Sequence, residues 1–97
     1  VLAAVCRFDL RIRGVRSLKE KRHVVKSLTG SLRARFNVSV AEVDHQDLWQ
    51  RTAIGVAAVA PDGHQVRRIV HQLERHVVAF PGVESIAMTT AFHGPED

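Results

Sequence analysis

Hydrophobic and polar positions alternate with a period of two over residues 1–13. Leu2, Ala4, Cys6, Phe8, Leu10 and Ile12 fall on one side, and Val1, Ala3, Val5, Arg7, Asp9, Arg11 and Arg13 on the other. This predicts a strand with one buried face, whose second face turns charged toward its end. Gly14 ends it. Ser17-Leu18-Lys19-Glu20 then reads as a capping box, with the serine hydroxyl accepting from a first-turn amide and Glu20 reaching back to the serine N–H. From here the period lengthens. At about 100° per residue, Leu18, Val24, Val25, Leu28, Leu32 and Phe36 form one apolar stripe, which predicts a helix over 17–36. Gly30 in its middle weakens it by about 1 kcal/mol relative to alanine. Lys21 and Arg35 fall inside the apolar arc, and both are expected to snorkel outward from the helix ends.

Asn37 to Val43 is a β-branched run and predicts a second strand. Residues 45–49 are turn-like, and Gln50 to Ala60 predicts a third strand with small residues on both faces. Pro61-Asp62-Gly63 breaks it, and Asp62 with Gln65 forms a second cap pair. Val66, Ile69, Val70, Leu73, Val77 and Phe80 make a narrow apolar stripe on a second helix over about 63–80, stopped by Pro81-Gly82. Ser85 to His93 predicts a last strand with Ile86, Met88 and Phe92 inward, followed by a short tail. The order β-α-β-β-α-β over residues 1–97 predicts one α+β domain of ferredoxin-like form. Two helices cover one face of a four-stranded antiparallel sheet and the other face stays open. Val1, Ala3, Val5, Arg7, Arg11, Ala87, Thr89 and Ala91 are expected on that open face. Side chains so small or apolar suit pairing with another subunit or holding a ligand.

Composition narrows the class. Ninety-seven residues, 45% hydrophobic and 25% charged, fit one globular core. No apolar stretch is long enough to span a bilayer. The apolar opening lacks a basic region before it and reads as a strand, not a signal peptide. A single cysteine, Cys6, forms no internal disulfide, so the expected location is cytoplasmic. The charge changes the picture more. Residues 1–36 hold ten Lys/Arg against two Asp/Glu, whereas residues 37–97 hold four against eight. Such segregation suits an anionic partner.

The candidate chemistry follows the charge. Lys19, Arg22, Lys26 and Arg33 fall within about 60° of one another on the first helix. Lys21, Arg13 and Arg16 gather near its start, where Ser17 and free amides favour phosphate. This predicts RNA or phosphate binding at Ser17, Lys19, Lys21, Arg22, Lys26 and Arg33, against the bland reading of a solvated helix face. Glu20 is the sole acid on the helix, which weighs against a merely solvated face.

The 45–51 hairpin gathers His45, Trp49, Gln50 and Arg51 as additional contacts. Trp49 could stack a base, or it could anchor the loop to the core, and the anchor is the commoner role for a lone tryptophan. Alternation places Glu42 and Asp44 on one strand face and His45 on the other, so no metal site is expected. No cofactor or catalytic motif is present: there is no nucleophile elbow and no glycine-rich phosphate loop. The first and third strands lack the aromatic residues that the RNA-recognition motif displays on its open face.

Two segments, Ser17-Leu18-Lys19-Glu20-Lys21-Arg22 and Val40 through Arg51 (VAEVDHQDLWQR), resemble the YlxP-like family of small bacterial proteins, a domain of unknown function. The resemblance spans nearly the whole chain. It implies a ferredoxin-like fold and a gene neighbourhood shared with transcription-elongation, translation-initiation and ribosome-binding factors. The resulting expectation is a non-enzymatic accessory protein that binds RNA or ribosomal particles. Two alternatives stand beside it: an interaction module that forms a homodimer through the open sheet face, and a binder of a small anionic ligand near Ser17.

Overall fold

Strand β1 (Leu2–Ile12) forms where the alternation places it, and it is central to everything else. A computed structural model describes residues 2–95, so Val1 and the tail residues Glu96 and Asp97 lie outside the described residues. After β1 come α1 (Leu18–Arg35), β2 (Ser39–Asp44), β3 (Arg51–Ala60), α2 (Gly63–Val78) and β4 (Val83–His93). The four strands form one antiparallel sheet in the order β2-β3-β1-β4. This is a ferredoxin-like α+β arrangement.

Both helices pack on the face defined by the inward phase of β1. Cys6, Phe8, Leu10 and Ile12 meet Val25, Leu28 and Leu32 of α1 and Leu73 and Val77 of α2 in one core. Truncating a buried leucine here is expected to cost about 2–5 kcal/mol. Ala4, Ala60 and Val66 close the far end, where small side chains let α2 approach the sheet. The caps are local and specific. Ser17 Oγ accepts from the Glu20 N–H at 3.1 Å, and Asp62 Oδ1 accepts from the Gln65 N–H at 2.9 Å. Glu20 reaches one residue further back than expected, accepting from the Arg16 N–H at 2.7 Å instead of from Ser17. Gly82 takes φ of 84°, a conformation that glycine adopts without strain, and turns the chain from α2 into β4.

Three expectations from the pattern need correction. Lys21 does not snorkel outward: it is fully buried. Its apolar azimuth points it under the helix, and acceptors wait there. Next, Glu42 and Asp44 lie on opposite sheet faces. The pairing shifts register between Glu42 and Asp44, so a bulge at Val43 breaks the simple alternation. Glu42 turns toward the helices and Asp44 toward the open face. Finally, β4 starts at Val83, which is buried, and a second register shift lies opposite Asp9 and Leu10. Ala87 pairs Asp9 and Ser85 pairs Leu10, so Ile86 is the extra residue and is exposed. Met88 packs against the core as expected, whereas Phe92 at the sheet edge is exposed.

Candidate nucleic-acid interface

The basic stripe of α1 is a consequence of helical spacing. Lys19, Arg22 and Lys26 stand at i, i+3 and i+7, with Arg33 two turns on, all exposed. They extend over about 21 Å of helix at 1.5 Å per residue. Among the described residues, the side chains of Lys19, Arg22 and Lys26 have no ion pair or hydrogen bond. Arg33 is tethered: its guanidinium donates to the Val40 carbonyl at 2.8 Å. That bond locates the stripe. The flank of α1 facing α2 carries Ser31, whose hydroxyl meets His76 Nε2 at 2.7 Å. The stripe occupies the opposite flank, above edge strand β2. Glu20 projects on the Ser31 side of the helix, so the stripe holds no acid.

Lys21 sits beneath the first turn and does different work. Its ammonium lies 2.7 Å from Glu42 Oε2 and donates to the carbonyls of His45 at 2.9 Å and Gln46 at 3.3 Å. Thr52, also fully buried, donates its hydroxyl to the same Glu42 oxygen at 2.6 Å. A buried charge needs this kind of enclosure, because an unpaired one is strongly disfavoured. The cluster explains a strained residue too. His45 takes φ of 61°, a left-handed conformation uncommon for a residue with a side chain. Its carbonyl is fixed by Lys21, its N–H donates to Asp44 Oδ1 at 2.7 Å, and the Leu48 N–H closes the turn on the His45 carbonyl at 3.1 Å. The Asp44 carboxyl is held below the usual carboxylate range, first by that His45 N–H and then by Arg7.

Lys21 therefore clamps the root of the 45–50 loop to α1. The Ile12 N–H donating to the Gln50 carbonyl at 2.9 Å clamps its other end to β1. The loop and the basic stripe share the β2 edge of the domain, joined by the cation that the stripe leaves out. At the loop's tip Trp49 is 49% exposed and Leu48 48%. Trp49 is not a core anchor. With Asp47, Leu48, Gln50 and Arg51 it lines an open groove of about 450 Å³. Gln50 is exposed in this groove, while Arg51 Nε is buried without a hydrogen-bond partner among the described residues.

Each expected site residue now has a place. Lys19, Arg22, Lys26 and Arg33 form one surface, and Trp49, Gln50 and Arg51 lie beyond its N-terminal end. Lys21 cannot reach a phosphate outside, because its three partners surround it. Ser17 serves as the cap, and the Arg16 and Glu20 amides beside it are already taken. A phosphate at the helix start would compete with the Glu20 carboxylate for those groups.

The pattern missed the Lys21–Glu42–Thr52 cluster. Its signal was a lysine in an apolar arc together with an acid in the inward phase of a neighbouring strand. It also missed the ionic end of the open sheet face. Arg7 donates to Asp9 at 3.1 Å and to Asp44 at 3.2 Å, and Arg11 stands 3.5 Å from Glu84. The Arg7 guanidinium holds the Asp9 carboxyl below the usual range.

Among the described residues, no group of three or more His, Cys, Asp and Glu side chains is placed to hold a metal ion. Among the described residues, no helix is long and apolar enough to cross a membrane. The Cys6 thiol is buried, and burial pushes its pKa up despite a contact from the Thr90 hydroxyl.

Residues 3–90 match the family model described as Protein of unknown function (DUF503). The chain belongs to this family. A relative in Bacillus subtilis (strain 168), described as Uncharacterized protein YlxP, is 40% identical over 68 residues, which are 70% of this chain and 74% of that protein. The resemblance to YlxP-like proteins seen in the two motifs thus holds over most of the chain. Among solved structures, this DUF503 chain is similar to the de novo designed protein Foldit4, with a TM-score of 0.51 at 14% identity, over 95% of this chain and 97% of that one. It is also similar to a mutant of SnoaB, a cofactor-independent oxygenase from Streptomyces nogalater, with a TM-score of 0.47 at 13% identity, over 99% of this chain and 93% of that one. The Foldit4 likeness bears on the fold alone, and the SnoaB likeness is too slight to bear on anything further.

Proposed function

We propose that this DUF503 protein is a non-enzymatic accessory factor that binds structured RNA, on ribosomal particles or their precursors, through the basic flank of α1. One observation carries the reading. Among the described residues, Lys19, Arg22 and Lys26 are exposed and unpaired on a flank that contains no acid, although acids are available elsewhere in the chain. Surface cations of a merely solvated helix usually stand among carboxylates at i+3 or i+4. Side by side, these three suit a row of phosphates.

The Trp49 loop adds local contacts. An exposed indole beside Gln50 and Arg51 suits an unpaired base next to a helix, stacked on the ring and bonded at its edge. The clamp by Lys21 keeps that loop at a fixed distance from the stripe. The open sheet face offers no stacking surface of its own, since β1 and β3 present no aromatic side chain there.

The test is co-sedimentation of the purified protein with ribosomal subunits. Reversing Lys19, Arg22 and Lys26 to Glu is expected to abolish association while the circular dichroism spectrum and melting curve stay native. A folded triple variant that co-sediments as well as the parent overturns the assignment of the site.

A further inference from the structure

The bare face of the sheet divides along the strands into two halves. Toward the start of β1, the register brings Ala3, Val5, Ala57, Val59 and Ala91 together, with Val5 47% and Val59 64% exposed. Toward the end of β1 lie three cations, Arg7, Arg11 and Arg51, and three anions, Asp9, Asp44 and Glu84. The six charged strand residues of this face therefore sum to zero, on a chain whose formal net charge is +4.

We propose that this face is the interface of a two-fold homodimer, in which the sheet of a second copy lies on it with its strands nearly aligned. Neutrality is the first argument. A polyanion gains nothing from such a face, and a strongly charged partner would find no matching field. A second copy meets its own neutral surface without net repulsion.

The division of the face is the second. Sheets that pack face to face keep their strands within about 30° of one another. A two-fold axis running nearly along β1, between β1 and β3, preserves height along the strands. It sets the apolar half on the apolar half and the ionic half on the ionic half. An axis across the strands would set valines on arginines. In the aligned arrangement Arg7 enters the interface already partnered by Asp9 and Asp44, and Arg11 by Glu84, whereas Arg51 has no ion pair among the described residues. That limits the desolvation cost which unpaired charges would bring.

Size is the third argument. β1 and β4 are each 11 residues long. At about 3.3 Å per residue and about 4.8 Å between strands, the face measures roughly 36 by 19 Å, or about 600 Å² after allowing for the shorter β2. Two copies would bury about 1,200 Å², the lower end of the range for specific, stable interfaces. Both α1 helices would point outward, so the dimer neither uses nor blocks the basic stripe.

The experiment is sedimentation equilibrium of the full chain across the micromolar range. The parent is expected to have about twice the 10.8 kDa chain mass. Val59→Arg and Ala57→Arg should each halve it. Val59 is the variant least able to harm the fold, because its side chain already faces solvent within one copy, and it decides the matter should Ala57→Arg unfold. Lys26→Glu on the far side should leave the dimer intact. A parent that stays monomeric throughout the range overturns the proposal, as does a folded Val59→Arg that keeps the dimer mass. None of these readings depends on RNA binding.

Discussion

Lys21 and Lys26 stand five residues apart on one helix and end in opposite environments. Lys21 is enclosed by Glu42 and two loop carbonyls; Lys26 is exposed with no partner among the described residues. Residue type and nearby sequence charge do not separate them. Azimuth does. Lys21 falls on the side of α1 that looks down at β2 and the loop, where acceptors are fixed. Lys26 falls on the flank that looks away from the domain. One lysine organises the fold, and the other takes no part in holding it together.

The most severe way to break this comparison is to remove the buried member. Lys21→Met leaves the half-buried Glu42 without its counter-charge and releases the His45 and Gln46 carbonyls. A loss of about 3–5 kcal/mol is expected, read from denaturant unfolding. Lys26→Met should change stability by less than about 0.5 kcal/mol. The pair Lys21→Met with Glu42→Leu should recover much of the loss, because no charge is then left buried alone. If Lys21→Met is as stable as the parent, the clamp is not what holds the loop.

The next effect is at the helix start. Ser17→Ala removes the cap on the Glu20 N–H and should cost about 1 kcal/mol while leaving RNA binding in place. Loss of binding without loss of stability would instead put Ser17 back among the phosphate contacts. Gly30 lies on the basic flank between Lys26 and Arg33, and a Cβ built there meets nothing within 4 Å. Gly30→Ala is therefore expected to stabilise the protein by about 0.5–1 kcal/mol, read as a higher melting temperature. It should not weaken RNA binding, since no positive φ and no close approach requires glycine at that position.

The smallest effect is the response to pH. Burial, followed by the nearby Arg35 charge, lowers the His76 pKa. Its unfolded imidazole takes up a proton near the ordinary value of about 6.5, and the folded one resists. Stability from His76 is thus complete above that value and declines as the pH falls below it. A second decline belongs to Asp9, Asp44 and Asp62, whose carboxyls are all held low in the fold, by Arg7, by the His45 N–H and by the Gln65 N–H respectively. Their contribution is present above about pH 4 and fades as the pH falls through the carboxylate range. Melting temperatures measured from pH 7.5 down to 3 should show both steps, and His76→Gln should flatten only the first. An unchanged first step would remove His76 as its cause.

Much of the fold is legible in the sequence because its signals are local. The alternation of β1, the stripes of α1 and α2, and the Ser17 and Asp62 caps each depend on residues a few positions apart. The corrections share a different origin. A bulge adds one residue without changing the hydrophobic pattern, so Asp44 and Ile86 lose their phase unannounced. The fate of Lys21 depends on Glu42 and on loop carbonyls more than twenty positions away, which a helical wheel does not display. Trp49 lacks any period at all, and only the two clamps on its loop show that it points outward. Within the candidate site, the cations on the free flank were readable from spacing, whereas the separation of Lys21 from them was not.

The central claim concerns phosphate contacts along that flank, and the salt dependence of binding measures it most directly. Three to four contacts predict a fall in affinity for structured RNA of roughly 40- to 150-fold between 50 and 200 mM salt. Replacing Lys26 by Ala should weaken binding to every structured RNA alike and reduce the logarithmic salt slope by about one. A slope that is flat in the parent, or one that Lys26→Ala leaves unchanged, would contradict the account.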